Sequence, residues 1–240
     1  MKIIVNPAYR GVEKAIRQIP GVFERSGELV YKGRNILKRF RADNANLIVK
    51  RFKKPHLINR FAYVYVRKSK ACRSYEYAFK LLENGIHTPA PIAFMEEYKY
   101  GLLTFSYFIS EEITEAREIR EFVLHPEKLA GEAFVLDAFG RFTAGMHQKK
   151  ICHNDYSPGN ILYRTGEGGE VTFYLVDINR MRFNKSVPEE KGYRNFKALW
   201  LPDAAFVLIA HSYARAMGYA LARATERILY YKNSFMKRRS

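Results

Sequence analysis

An α+β architecture in two lobes is what this sequence predicts, strand-rich over residues 1–108 and mainly helical over 109–240. Three observations carry it. Apolar runs in the first part are short and strand-like, as in Asn46-Leu47-Ile48-Val49-Lys50-Arg51-Phe52. Apolar residues in the second part recur at helical spacing, as in Phe134, Leu136, Phe139, Phe142 and Met146. Third, 240 residues with 48% apolar content can bury one good-sized core or two small lobes.

The elements follow in chain order. The first twenty residues, including Asn6-Pro7-Ala8-Tyr9-Arg10, read as an extra strand or arm ahead of a lobe that starts near Gly21. Gly27 to Arg34 reads as a hairpin. Residues 46–52 form a strand ending in cations. From Ala71 to Asn84 the stripe Tyr75, Ala78, Phe79, Leu82 predicts a helix, and Gly85 stops it. Phe105 to Ile109 is expected to be the connection between lobes. The helix ending near Met146 leads into a polar loop, Ile161-Leu162-Tyr163 is a short strand, Glu167 to Glu170 a turn, and Val171 to Leu175 a second strand. Val187-Pro188-Glu189-Glu190 reads as a loop, whereas Ala204–Ala210 and the run Tyr213–Tyr231 read as helices.

The loop His153-Asn154-Asp155-Tyr156-Ser157-Pro158-Gly159-Asn160 carries the chemistry. It puts a carboxylate five residues before an amide, just ahead of a strand, and a second carboxylate, Asp177, ends the next strand 22 positions after Asp155. Phosphoryl transfer to a hydroxyl needs such a set: one Asp to accept the proton, an Asn and an Asp to hold magnesium on the nucleotide phosphates. Two of the chain's five Asp residues fall in this constellation. A kinase also needs an upstream strand lysine on the phosphates and a helical glutamate to pair with it. Lys50 and Glu76 supply these in the right order. Glu83, at the helix end, reads as a solvated acid. The fold class is therefore bilobal and protein-kinase-like, with Ser106 and Phe108 at the adenine-contacting connection.

The sequence resembles the lipopolysaccharide core kinases, the family of Kdo and heptose kinases. The resemblance rests on Lys50-Arg51-Phe52-Lys53, Arg67-Lys68-Ser69-Lys70-Ala71, Arg73-Ser74-Tyr75-Glu76, the turn Gly85-Ile86-His87-Thr88-Pro89-Ala90-Pro91-Ile92-Ala93, the catalytic loop, and Leu175-Val176-Asp177-Ile178-Asn179-Arg180. It implies ATP and Mg²⁺ as cofactors. By position it implies Lys50 on the α- and β-phosphates, Glu76 as its partner, Asp155 as base, Asn160 and Asp177 as metal ligands, and His153 as a brace for the loop. It implies an anionic glycolipid acceptor, Kdo on a lipid A precursor before heptose. A small metabolite or a protein serine stays open as an acceptor on the same fold.

Departures from protein kinases narrow the acceptor. Asn154 stands where a regulated protein kinase has Arg, Ile178-Asn179 follows Asp177 in place of Phe-Gly, and no A-P-E appears. Arg180 to Tyr193 is short and basic, which suits an anionic small acceptor rather than a peptide. No G-x-G-x-x-G precedes Lys50, so the nucleotide-covering contacts are not readable.

The formal net charge is +17, an excess that attracts polyanions. It is uneven: residues 1–100 carry 21 Lys and Arg against 8 acids, and residues 101–127 carry 2 against 6. A membrane leaflet rich in phosphorylated glycolipid fits this charge together with a kinase site; no nucleic acid is expected. A polyanion-binding protein with a vestigial kinase site is the alternative, and the presence of all five expected polar positions speaks against it. The C-terminal residues mix basic side chains with Phe and Tyr, as an interfacial helix does. With neither a signal peptide pattern nor a spanning apolar run, the expectation is a cytoplasmic protein, peripheral at the inner membrane. Cys72 and Cys152 fit a reducing compartment, and their surroundings lack zinc-site spacing.

Overall fold

The computed structural model describes residues 1–42, 45–55 and 67–239. These form two compact units, residues 1–83 with 88–114, and residues 84–87 with 115–240.

The first unit is built on a six-stranded antiparallel sheet in the order β1-β5-β6-β4-β3-β2. Its strands are β1 (Lys2–Val5), β2 (Glu28–Lys32), β3 (Ile36–Ala42), β4 (Ala45–Phe52), β5 (Pro91–Lys99) and β6 (Leu102–Glu111). The N-terminal arm is thus an edge strand, with Ile4 opposite Phe94, and β2 and β3 are the expected hairpin.

Strand periodicity gives this sheet two packed faces. On one face Leu47, Val49, Tyr107 and Ile109 are buried under α1 (Glu13–Val22), whose Ile16 and Ile19, with Phe23 just beyond, form a stripe at three- and four-residue spacing. The other face carries Phe52, Phe94 and Phe108, covered by α2 (Lys70–Glu83) through Ala71, Cys72 and Tyr75. α2 starts where Ser69 Oγ accepts the Cys72 amide at 3.0 Å, a side-chain cap on an otherwise orphan donor. It stops at Gly85, which takes a left-handed φ of 67°.

Phe105 to Ile109 is not a connection. These residues sit inside β6, where Ser106 to Ile109 pair with β4 on one side and β5 on the other. Ser110 and Glu111 still pair with Ile48 and Leu47 of β4, so the strand runs on past Ile109, and the units divide after Thr114 rather than after Phe108.

The second unit combines small strand pairings with helices. A three-stranded sheet joins β7 (Arg117–Glu118), β9 (Ile161–Thr165) and β10 (Val171–Leu175); β8 (Cys152–His153) pairs with β11 (Met181–Arg182). The helices are α3 (Glu121–Leu124), α4 (Leu129–Gln148), α5 (Glu189–Asn195), α6 (Asp203–Met217) and α7 (Leu221–Met236). α4 and α6 each bury seven or more residues. Their core continues into a ring cluster: Phe139 lies 5.5 Å from Tyr156 and 5.6 Å from Phe173, and Phe196 lies 5.1 Å from Tyr213. Such pairs add about 0.5–1.5 kcal/mol each beyond burial.

Two sequence expectations change here. Glu189 and Glu190 open α5 rather than lying in a loop, because Pro188 pre-sets the helix entry and acids suit a first turn. The run Tyr213–Tyr231 is two helices, broken at Gly218, whose φ of 73° ends α6. None of the described helices is long and apolar enough to cross a membrane.

Candidate active site

In the second unit the loop after α4 is stitched to the segment after β10 through one imidazole. His153 is fully buried. Its Nδ1 accepts the backbone N–H of Asp155 at 3.1 Å, so its proton sits on Nε2, which donates to the Val176 carbonyl at 3.1 Å. Val176 is the residue before Asp177. Both expected catalytic carboxylates therefore hang from backbone fixed by the same ring.

Asn160 completes the loop. Its Nδ2 donates to the Asp155 carbonyl at 2.8 Å, and its own carbonyl accepts the Val176 N–H at 3.0 Å. Because the amide nitrogen is used, Oδ1 is turned away as an oxygen donor, and none of the described residues donates to it. Asp177 adopts the left-handed region, φ 53° and ψ 42°, a backbone state that carries strain for a residue with a side chain and concentrates at functional sites. Its Oδ1 accepts Asn179 Nδ2. One Asp and one Asn with oxygen atoms suit Mg²⁺, which prefers few protein oxygens plus phosphate and water.

The brace reaches deeper. Asn195 at the end of α5 donates to the His153 carbonyl at 2.9 Å, and its Oδ1 accepts His147 Nε2 at 2.9 Å. His147 Nδ1 in turn takes the Tyr213 hydroxyl at 2.9 Å. Burial pushes the His147 imidazole down to about 4, the Asn195 bond opposing this in part. The chain Tyr213–His147–Asn195–His153 thus ties the candidate loop to the core of α4 and α6. Burial pushes both thiols up, Cys72 and Cys152 each to about 11, so neither is a thiolate nucleophile.

Two arginines flank the loop: Arg180, which opens the basic stretch that the sequence marks, and Arg120, which nothing in the sequence singles out. Arg180 Nη1 lies 3.4 Å from Asp155 Oδ2, with both side chains about half exposed. Arg120 covers Gly159, so closely that a Cβ there would run into its guanidinium. Arg120 Nε also lies 3.4 Å from Glu118, whose carboxyl burial pushes upward.

The first unit holds the expected nucleotide-binding residues. Lys50 on β4 is opposite Phe108 on β6 and shares the face covered by α2. Its Nζ sits 5.4 Å from the Phe52 ring centre. Glu76 on α2 accepts Lys68 Nζ at 2.5 Å, which holds that ammonium above its ordinary range. Lys68, two residues before the helix, is thus the partner of Glu76 in this structure. Ser106 is buried in β6 opposite Phe52 and Glu96, and Phe108 packs against the α2 cluster.

The model of the lipopolysaccharide kinase (Kdo/WaaP) family matches residues 32–202, well over half of the chain. The chain belongs to that family. A member of the Kdo/WaaP family is a phosphotransferase acting on a sugar hydroxyl, and kinase membership implies ATP use. A solved structure described as WaaP in complex with acyl carrier protein is similar over 99% of this chain and 99% of that chain, with a TM-score of 0.66 at 14% identity. At that identity the likeness establishes the shared kinase-like fold. Among curated proteins no significant sequence match is found.

Proposed function

We propose that this member of the family uses ATP and Mg²⁺ to phosphorylate a hydroxyl of the lipopolysaccharide inner core, Kdo on a lipid A precursor, at the inner leaflet. The single observation that supports it most is that His153 braces the backbone of Asp155 and of Val176 beside Asp177, while Asn160 bonds to the same two segments.

In this reading Lys50 holds the α- and β-phosphates and Glu76 orients it, leaving Lys68 when nucleotide binds. Ser106 and Phe108 border the nucleotide from β6. Asn160 and Asp177 would hold the metal, which neutralises phosphate charge when bound. Asp155 accepts the proton as the acceptor oxygen bonds to the γ-phosphorus. The bond from that phosphorus to the bridging oxygen breaks and ADP leaves. Catalysis is positioning and charge neutralisation, since the loose transition state spreads charge over the phosphoryl oxygens.

The acceptor assignment leans on charge. The +17 excess suits a phosphorylated glycolipid and a negative leaflet. Mass spectrometry of a Kdo-bearing lipid A precursor and of a heptose-bearing core, each incubated with ATP, tests it. A phosphate gained on Kdo is expected. A gain only on heptose would move the acceptor, and none on either would count against the reading.

A further inference from the structure

We infer that Arg180 is the acceptor-recognition residue of this site: it binds a carboxylate or phosphate carried by the acceptor, and in doing so it releases Asp155. The inference rests on the phosphotransfer reading above.

The Arg180 backbone is fixed. Its carbonyl accepts the Asn154 N–H at 3.2 Å, and the next residue, Met181, pairs with His153 across β8 and β11. The side chain is not. Its contact with Asp155 is a single one at 3.4 Å between groups 49% and 45% exposed, and exposed pairs of this kind are weak. Another anion can replace it.

The contact is also in the way of chemistry. The guanidinium sits against Oδ2, one of the two oxygens that the carboxylate offers. A base needs that oxygen for the incoming hydroxyl. An acceptor with an anionic group beside its hydroxyl clears the way: the anion draws the guanidinium off in a charge-assisted, bidentate bond, and the hydroxyl takes the vacated place on Asp155. A neutral hydroxyl compound leaves Arg180 where it is. Specificity and base release are then one event.

The surroundings point the same way. Arg182 and Lys185 follow Arg180, and no acid occurs between Asp177 and Glu189. Nε of Arg182 is buried and has no hydrogen-bond partner among the described residues. A segment this basic, next to the loop and short of acids of its own, matches an anion that arrives with the substrate.

The test compares steady-state kinetics of wild type, Arg180→Gln and Arg180→Lys on three acceptors: the intact Kdo–lipid A precursor, the same lipid with its carboxyl groups reduced, and the same lipid dephosphorylated. On the intact acceptor Arg180→Gln should raise the acceptor KM by about ten- to a hundredfold, as for loss of a charged hydrogen bond. KM for ATP should hold, and Arg180→Lys should recover part of the loss. The difference between wild type and Arg180→Gln should vanish on one modified lipid, which tells carboxylate from phosphate. A fall in kcat with acceptor KM unchanged would overturn the inference and leave Arg180 as a support for Asp155 alone. A difference that persists on both modified lipids, or no difference at all, would overturn it too. Failure of wild type on every acceptor would instead sink the phosphotransfer reading on which it rests.

Discussion

His153 and Asp155 are joined by a backbone bond that inverts the usual order of support: the Asp155 N–H donates to the His153 ring at 3.1 Å, rather than the ring to the carboxylate. The carboxylate of Asp155 is left for other partners. The ring's second nitrogen reaches the Val176 carbonyl, so a single neutral imidazole sets the spacing of two loops. A His153→Ala protein would leave an N–H and a C=O unpaired, at about 1–3 kcal/mol each, and let the loops drift. Turnover should fall on the order of 10²-fold, the scale of a 1 Å misplacement. Denaturant unfolding with a phosphotransfer assay reads both effects; unchanged turnover would contradict the brace.

His147 makes stability depend on pH. Its folded-state pKa is depressed to about 4 from an ordinary 6.5. The neutral ring is the folded form, so its contribution is full above the unfolded value and is lost as pH falls through 6.5 toward 4. At pH 5 the loss should be about 2 kcal/mol. Urea unfolding at pH 7.5 and pH 5 would show it. His147→Gln should lose much of that sensitivity; an equal drop in both proteins would assign the effect elsewhere.

Gly159 and Arg120 should act as one unit. The methyl group added by Gly159→Ala would displace the far end of a flexible side chain, so the fold should tolerate it. If Arg120 steadies the residue before Asn160, Gly159→Ala and Arg120→Ala should each lower turnover about tenfold, and the double variant no further, a coupling of about 1.4 kcal/mol. Additive losses would show two separate roles.

Glu76 pairs with Lys68 in the structure, whereas the proposed function gives it to Lys50. Lys50→Met should raise the KM for ATP strongly, whereas Lys68→Met, by freeing Glu76, should leave it unchanged or lower it. Nucleotide titrations by calorimetry decide the matter. Equal losses in both variants would make Lys68 a phosphate ligand in its own right.

The Ser69 cap should be a matter of stability alone. Ser69→Ala should cost about 1 kcal/mol and lower Tm by roughly 2–4 °C, with the KM for acceptor unaltered.

Much of this is legible in the sequence where the signal is local. Asp155, Asn160 and Asp177 lie within one loop and one hairpin, and α2 announces itself by Tyr75, Ala78 and Gly85, although Leu82 of the expected stripe is exposed and Leu81 is buried instead. What escapes depends on distance or on competition. Asn195 meets His153 from 42 residues away, with nothing in its own neighbourhood to mark it. Arg120 is one among 41 cations, and only the fold selects it; Arg180 heads the basic stretch that the sequence marks, but its contact with Asp155 shows only in the structure. The Lys68 pairing is hidden for the same reason, since Lys50 and Lys68 are equivalent to a reader of charge alone. The end of β6 is hard to place because pairing with β4, which lies far off in sequence, carries it to Glu111, and helix-forming Glu189 hides behind Pro188.

The most direct test of the account is phosphate transfer to the Kdo–lipid A precursor by wild type and Asp155→Ala at one fixed magnesium concentration, with ATP affinity measured alongside. Wild type should add a phosphate, turnover in Asp155→Ala should fall by several orders of magnitude, and ATP affinity should be nearly equal in the two. Normal turnover in Asp155→Ala would contradict it.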